Sequence, residues 1–548
     1  MLLFDDIRDS IIRTCRSLAL DVSAKDLDTD RTGHADFSLK LFRFSGKPGF
    51  EKLMQGLLNE LGKEKYVSSV SLDGKYLNIK IRERSYLDIM DTSLKEKGIF
   101  PDTFQDPDRV LVEHTSTNPT GPIHIGRARN SIVGDSLARI LKRYGYRVTT
   151  QYFVNDTGKQ VMGLYLGYLK SPSRIIDIQH LLEGYRKVYR EIEEDKSKEK
   201  EIEALIKKYE SGEPTVVREV HEICTVMLKG ITTSLSRIGI KIDDYVWESG
   251  FLKSQEMDDV LSSLSDNIKS ENDAQFIELS NGSKVFLRRA DGTSLYTLRD
   301  LAYHKFKSLN YDWLIDVLGE DHRDYAKSLV EILQDMVNLR SKISFVFYSF
   351  ISLDSGKMST RSGNVVTLDE LIEKAEQNAL EIVKSKRPDL PDGDLRKIAN
   401  AVAVSAIRFQ IAKINLGKEL VFKWSEALNL EGDSAPYIMY SYARTTKILK
   451  EASTDGETSN VFDQYERSLL RMLYLYPYSL QAAKDGLRVD PIASYLLELV
   501  RSFNDFYNNC RVVGSGEHEV KRAKIVNIYR YVLQDACYLV GINLLDEM

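Results

Sequence analysis

Apolar and polar positions change their spacing several times along this chain, and each change predicts an element. "RVLV" (109–112) is a short unbroken apolar run, the pattern of a buried strand. In "ARNSIVGDSLARILKRY" the residues Ala128, Ile132, Leu137, Ile140, Leu141 and Tyr144 recur at helical spacing, and "YRVTTQYFV" then supplies a second strand. Between the first strand and the helix lies "EHTSTNPTGPIHIG", a polar crossing with a tight glycine turn. A strand, glycine turn, helix, strand unit leaves free N–H groups and the positive end of the helix dipole facing whatever sits above the sheet, which suits a phosphate.

The same periodicities divide the chain. Residues 1–95 predict a small α+β domain with an opening helix, a second helix in "FEKLMQGLLNELG" and, in "VSSVSLDGKYLNIKI", an alternating hairpin about Asp73-Gly74. Residues 96–164 hold the strand and helix unit. Over 165–284 the texture changes: "YREIEEDKSKEKEIEALIKKYESGE" alternates charge densely, the composition of a solvated helix, and the span is expected to be an insertion. Strand-like "KVFLRRADGTSLYTLRDLAYHKF", "YDWLIDVLGED" and "ISFVFYSFISLD" restore the α/β pattern over 285–395. Thr367 and Glu370 have capping-box spacing ahead of a helix, and from 396 to 548 apolar repeats at helical spacing predict an all-α domain. The fold class expected is α/β: a Rossmann-like parallel-sheet domain with an insertion, a small N-terminal α+β domain and an all-α C-terminal domain.

Bulk composition narrows this picture without changing it. A chain of 548 residues with 43% hydrophobic content can bury several cores, at roughly 150 residues per domain. Cys15, Cys224, Cys510 and Cys537 lie far apart, which supports neither a disulfide framework nor a cysteine metal site and fits a reducing, cytoplasmic setting. No stretch has the apolar length of a membrane span, and "MLLFDDIRDSIIRTC" lacks a basic leader, so neither membrane nor export is expected. A net charge of −5 argues against nonspecific coating of nucleic acid while leaving room for a local basic surface that binds a shaped RNA.

Two stretches carry candidate chemistry. The first is "HIG", His124 to Gly126, at the strand-to-helix turn; the plain alternative is a turn histidine that caps the helix. The second is "SGKMSTRSGN", Ser355 to Asn364, where a lysine, a serine and an arginine stand in a glycine-flanked loop suited to closing over a polyphosphate. Alone, it reads equally as a basic surface loop. Paired with "HIG", it becomes specific.

With both in view, "HIGR" and "KMSTR" resemble the two signatures of class I aminoacyl-tRNA synthetases, and their surroundings resemble the arginyl branch of that family. The matching pieces are "EHTSTNPTGPIHIGRARNSIVGD", "VNDTGKQ", "SLYTLRDLAYH", "LGEDH", "SGKMSTRSGNVVTLDELI" and "LEGDSAPYIMYSYAR", in order over roughly residues 110–445. "HADFSLKL" and "GKYLNIKI" look like that branch's extra N-terminal domain, and "LVGINLLDEM" looks like its ending. The resemblance implies a ligase that activates L-arginine with ATP, with Mg²⁺ on the leaving group, and passes it to the terminal ribose of tRNA-Arg, with activation dependent on bound tRNA. It also implies that the N-terminal domain touches tRNA and that the helical domain binds the anticodon; a monomer is expected.

A substrate argument from the residues runs beside the resemblance. Guanidinium is planar, permanently charged and best held by carboxylates with an aromatic face nearby. Glu113 ends the first strand, and Tyr296 and Asp300 stand one helical turn apart. The resemblance assigns the arginine side chain to Glu113, Tyr296 and Asp300, and the amino acid's own amine and carboxylate to Ser116 and Asn118, with His124 beside ATP and His322 helping with the amine. The alternative for Asp300 is a surface bridge to Arg299 or Arg289. ATP is expected at Thr120, Gly121, His124, Gly126, Arg127, Lys357, Met358 and Ser359, with no metal held by the protein itself. Two departures stand out: Arg127 replaces the last histidine of "HIGH", and Thr360 followed by Arg361 replaces the second lysine of "KMSKS". Arg127 and Arg361, together with His124 and Lys357, are therefore expected to act on the phosphates.

A third stretch, "SAPYIMYSYARTTKILK", places Tyr437, Tyr440, Arg444 and Lys447 along one helical stripe, the aromatic and basic pattern that unstacked bases and phosphates need. A buried tyrosine face edged by arginine explains the same spacing. "FYNNCR" and "KRAKIVNIYRY" are further candidates for RNA contact. Two rivals remain beside the arginine ligase: a relative charging another amino acid, and a catalytically silent RNA-binding protein. The second has no use for His124, Lys357, Glu113 and Asp300 together.

Overall fold

The computed structural model describes residues 3–23, 26–28, 35–44, 49–99, 106–353, 366–453, 455–456 and 459–548. At the N-terminus, α1 (Leu3–Ser17), β1 (Leu27–Asp28) and β2 (Phe37–Lys40) are followed by α2 (Phe50–Gly62), β3 (Val67–Asp73), β4 (Tyr76–Ile81) and α3 (Glu83–Glu96). The strands form one antiparallel sheet in the order β1-β2-β4-β3. Gly74 turns the β3–β4 hairpin at φ +57°, left-handed backbone that a side chain disfavours.

The predicted phosphate-binding unit follows as β5 (Arg109–Glu113), α4 (Ile125–Tyr144) and β6 (Arg147–Val154). Next come α5 (Gly158–Lys170), α6 (Ile178–Glu194), α7 (Glu199–Ser211), α8 (Pro214–Arg237), β7 (Asp244–Trp247), α9 (Gln255–Ser263), β8 (Ile268–Glu271), β9 (Ala274–Glu278) and β10 (Lys284–Arg288). The helices pack around their own apolar cluster, which includes Met162, Tyr165, Val220 and Cys224. Two details differ from the sequence expectation. Within the span read as an insertion, β7 returns to the parallel sheet beside β6, whereas β10, expected to resume that sheet, pairs antiparallel with β9.

After β10 the chain is helical again: α10 (Tyr296–Asn310) takes in the latter part of the run read as strand-like. Buried Leu298, Leu301 and Ala302 stand at i, i+3 and i+4, a helical period that the neighbouring β pattern obscured. Then come β11 (Trp313–Gly319), α11 (Arg323–Glu331), β12 (Lys342–Tyr348) and β13 (Ile351–Leu353). The five-stranded sheet β12-β11-β5-β6-β7 is parallel throughout. "ISFVFYSFISLD" thus supplies two strands, and the second leaves the main sheet to pair with β14 below.

The remainder is α12 (Leu368–Lys386), α13 (Asp392–Ala412), β14 (Leu420–Phe422), α14 (Trp424–Ala427), α15 (Ala435–Glu451), α16 (Gln464–Tyr474), α17 (Tyr476–Gly486), α18 (Asp490–Asn509) and α19 (Glu519–Val540). Thr367 and Glu370 form the predicted capping box, and Ser434 caps α15 with Pro436 in its first turn. The short strand β14 is the exception to the all-helical expectation. Among the described residues no helix is long and apolar enough to cross a membrane.

Helix α4 ties these parts together. The Arg408 guanidinium on α13 donates to Asp135 at 2.5 Å, and Arg143 donates to Asp535 on α19 at 2.8 Å. Near its start, wholly buried Arg129 donates to the carbonyls of Ser349 (2.5 Å) and Phe350 (3.3 Å) ahead of β13, and of Asn415 (3.2 Å) and Lys418 (3.0 Å) ahead of β14. Burial pulls this guanidinium down to about 10. Five carbonyl contacts without a carboxylate fix the strand ends while leaving the charge uncancelled.

Candidate active site

The order of the parallel sheet reverses at β5: β6 and β7 lie to one side, β11 and β12 to the other. Strands flanking such a reversal leave a crevice beyond their C-terminal ends, where open α/β sheets bind ligands. Here the crevice is a cavity of about 500 Å³, and Glu113, Ser116, Asn118, Arg127, Asp300 and His322 line it. Tyr296 also faces it from the first turn of α10, 61% exposed, with its ring 5.7 Å from that of Tyr325.

The chain leaves β5 under strain. Thr115 (φ 73°) and Ser116 (φ 31°) are both left-handed without being glycine. Asn130 of α4 holds the turn by accepting from the Thr115 N–H at 2.5 Å and donating to the Val317 carbonyl at 2.6 Å. Ser116 is thereby aimed so that its hydroxyl donates to Glu113 Oε1 at 2.8 Å and accepts from the Phe153 N–H at 3.0 Å.

Beneath the cavity, charges alternate. Asp316 stands beside Glu113 in register on adjacent strands, and Lys307 from the last turn of α10 lies between them, with Nζ 2.5 Å from Glu113 and 2.8 Å from Asp316. His304 bridges the other side: Nε2 is 2.8 Å from Asp316 and Nδ1 is 3.1 Å from Asp300, whose second oxygen accepts from Tyr325 at 2.6 Å. Burial opposes every one of these charges, and the neighbours decide each outcome. Burial raises the Glu113 carboxyl above its usual range despite Lys307, because that ammonium is shared with Asp316. Asp316, with two cationic partners, is held well below the usual range against the same burial. His304 resists burial and Lys307 and is raised to about 9 by Asp300 and Asp316. Asp300 resists burial as well and stays low beside His304 and Tyr325. The alternative bridge from Asp300 to Arg299 is not formed: Arg299 donates to Glu248 at 2.7 Å.

His124 sits at the N-cap of α4, yet its side chain makes no capping hydrogen bond, so the plain reading of this residue fails. A Cβ on Gly126 would stand 3.1 Å from the imidazole, so the bare glycine leaves the ring room over the first turn. Burial, and secondarily Arg127, push the ring down to about 4, which leaves it neutral near pH 7. His124, Thr120 and Gly121 do not line the cavity, whereas Arg127, one turn into α4, does. The Ile125 N–H donates to Val366 at 3.2 Å, and the Leu368 N–H to Ile123 at 2.8 Å. Lys357, Met358, Ser359 and Arg361 lie outside the described residues. The segments on either side of them are both anchored on α4, through Arg129 and Ile125.

A second cavity, about 1170 Å³, opens between α15, the end of α18 and the chain end, and Tyr440, Arg444, Lys447, Tyr507, Arg511 and Met548 line it. The Arg444 guanidinium lies 5.0 Å from the Tyr440 ring and 4.4 Å from that of Tyr507. Tyr440 is 51% exposed. Tyr437 is partly buried and accepts from Asn504 at 2.7 Å, so the predicted stripe is half surface and half packing. "FYNNCR" contributes to this cavity, but "KRAKIVNIYRY" turns inward: Lys521 is buried against Glu466 at 2.7 Å, and Arg530 pairs with Asp546 at 2.6 Å.

Sequence reasoning missed Lys307, His304, Asp316 and Tyr325. A signal existed for three of them. Asp300, His304 and Lys307 fall at i, i+4 and i+7 on one face of α10, and Asp316 is an acid inside the apolar strand "WLIDVLG". Tyr325 carried none.

Residues 90–424 match the family described as tRNA synthetases class I (R), catalytic domain, and residues 438–548 match the DALR anticodon binding domain. The chain is 46% identical to an arginine–tRNA ligase of Thermoplasma acidophilum over the whole of both chains. It is 34% identical to one of Methanocella arvoryzae over 96% of each. Among solved structures, Thermus thermophilus arginyl-tRNA synthetase superposes with a TM-score of 0.81 at 24% identity, covering 99% of this chain and all of that one. The Plasmodium falciparum arginyl-tRNA synthetase gives 0.81 at 18% identity, covering 100% of this chain and 99% of the other. These two likenesses concern the fold.

Proposed function

The chain belongs to the class I arginyl-tRNA synthetases and so activates arginine and charges tRNA with it, and from that premise we propose how its residues divide the work. The guanidinium of L-arginine enters the 500 Å³ cavity between Glu113 and Asp300, with the Tyr296 ring at the mouth. Ser116, Asn118 and His322 meet the amine and carboxylate. ATP lies over the start of α4, at Thr120, Gly121, His124, Gly126 and Arg127, and Lys357, Met358 and Ser359 approach from the other side. Neutral His124 donates a hydrogen bond to a phosphate, and Arg127 and Arg361 supply the positive charge that the usual signature residues would.

The arginine carboxylate attacks the α-phosphorus of ATP; the new P–O bond forms as the bond to the bridging oxygen breaks, and pyrophosphate departs. A terminal ribose hydroxyl of tRNA-Arg then attacks the acyl carbon and AMP leaves. In both steps the protein aligns the reactants and offsets charge growing on oxygen. Mg²⁺ would enter with the triphosphate and help neutralise its charge. Bound tRNA is required for efficient activation. The helical region takes the anticodon, with Tyr437, Tyr440 and Arg444 among its contacts, and residues 1–95 touch the tRNA body. The protein acts as a monomer in the cytosol, in keeping with four buried free cysteines.

The observation that carries this reading is the gathering of Glu113, Asp300, Tyr296 and Arg127 around one cavity at the reversal of the sheet. ATP–pyrophosphate exchange with arginine, with and without tRNA-Arg, tests it. Exchange that needs both arginine and tRNA is expected; exchange with another amino acid, or none under either condition, overturns it.

A further inference from the structure

Lys307 has no solvent exposure, and its neighbours His304 and Asp316 are nearly as deeply buried. Charges so placed rarely serve stability, since a well-packed apolar trio of similar volume is often neutral or better. Their order is what stands out. Glu113, Lys307, Asp316, His304 and Asp300 form one chain of contacts from 2.5 to 3.1 Å in which sign alternates; its two terminal carboxylates line the cavity, as do Asp316 and His304 between them, whereas Lys307 lies behind the wall. Three carboxylates against two cations leave a net charge of −1, which one guanidinium cancels. A neutral isostere of arginine would leave that charge buried and unanswered.

We propose that Lys307 and His304 are specificity-determining positioning residues: held between the carboxylates, they fix Glu113 and Asp300 at the two ends of a singly charged chain that fits one delocalised cation and rejects a neutral side chain of the same shape. The inference rests on the assignment of this cavity to arginine. The groups facing the chain are Asp300, Lys307 and Tyr303 on α10, Asp316 on β11, Glu113 on β5 and Tyr325 on α11. The raised His304 keeps its proton through neutral pH, so both of its N–H groups donate: Nε2 to the Asp316 carboxylate at 2.8 Å, and Nδ1 to the Asp300 backbone carbonyl at 2.9 Å with the Asp300 carboxylate 3.1 Å away.

The experiment measures exchange in the presence of tRNA-Arg, reading KM for arginine, KM for ATP and inhibition by citrulline. Lys307→Met should raise the arginine KM roughly 30-fold or more while moving the ATP KM less than about threefold. In that variant Glu113 and Asp316 face each other without the ammonium between them and share a proton, so the arginine KM should fall as pH rises from about 6.5 to about 8, where the parent stays flat. Adding Asp316→Asn removes the unmatched charge and should recover roughly tenfold. A rise in both KM values together, with no recovery in the double variant, indicates packing alone and overturns the proposal. Should Lys307→Met not fold, His304→Gln decides: with the chain left at −2, the arginine KM is expected to rise roughly tenfold with the ATP KM unchanged, and citrulline to inhibit no better than in the parent; an unchanged arginine KM, or stronger inhibition by citrulline, overturns the proposal. Glu113→Gln and Asp300→Asn separate the two levels. If neither moves the arginine KM, the cavity assignment itself is wrong; if both do while Lys307→Met and His304→Gln have no selective effect, only this inference falls.

Discussion

In the crevice at the head of the parallel sheet, charged atoms are buried, paired and held by strands and one helix, whereas in the cavity beside α15 they sit at the tips of long side chains near exposed rings. The smaller cavity, about 500 Å³, is walled by buried charges of alternating sign; the larger, about 1170 Å³, is edged by Arg444, Lys447 and Arg511 on adaptable stems. A single planar cation is distinguished by where a few donors and acceptors stand, so its site has to be rigid and dry. A nucleic-acid strand offers many faces and phosphates, so its site can remain wet and mobile. The two cavities should therefore respond to mutation and salt in different ways.

The largest difference is expected at Asp300. Asp300→Asn removes half of the carboxylate pair and leaves His304 facing one acid instead of two. The kcat/KM for arginine should drop by about 10²- to 10³-fold with the ATP KM nearly unchanged; equal loss of both would refute the acidic pocket. Next is the phosphate side. Arg127→Ala and Arg361→Ala should each slow exchange about tenfold or more, and rates within about twofold of the parent for both would strip these arginines of their role. In the larger cavity the effects shrink. Tyr440→Ala and Arg444→Ala should weaken tRNA binding roughly five- to tenfold, read by filter binding, with the arginine KM unchanged. Raising salt should weaken tRNA binding far more than arginine binding, because exposed phosphate contacts are screened and the buried chain is not.

Much of this contrast was legible in the sequence, and the gaps are physical. "RVLV" was readable as a short apolar run, the following turn by its glycine and α4 by a long helical period, and Thr367 with Glu370 marked a helix start by chemistry local to four residues. Glu113, Tyr296 and Asp300 could be picked out because the resemblance names a guanidinium and that group dictates its own partners, and the fold brings all three to one cavity. Lys307, His304 and Asp316 were not, because a lysine and a histidine on a helix read as solvated until the helix is known to press between two strands. The pairing of β10 with β9, and of β13 with β14, escaped for a different reason: partners in a sheet are chosen by tertiary contact, and short apolar runs do not name theirs. The helical stripe at Tyr437 and Tyr440 left a base-binding surface and a packed face both open, and the fold divides it between them, with Tyr437 partly buried and Tyr440 exposed.

The smallest expected effect probes the rigid site through stability rather than catalysis. His304 is nearly unexposed and raised from 6.5 to about 9, with burial opposing the shift and Asp300 and Asp316 outweighing it. A histidine whose folded value is raised binds its proton more tightly in the native state, so its contribution is complete below about 6.5 and is lost as pH climbs through about 9. Thermal unfolding of the parent and of His304→Gln should therefore differ most near pH 6 and converge by roughly a few degrees toward pH 9.5. Curves for His304→Gln and the parent that stay parallel from pH 6 to 9.5 would mean that the imidazole carries no bound proton between the two aspartates, and the alternating chain under the arginine cavity would lose its middle link.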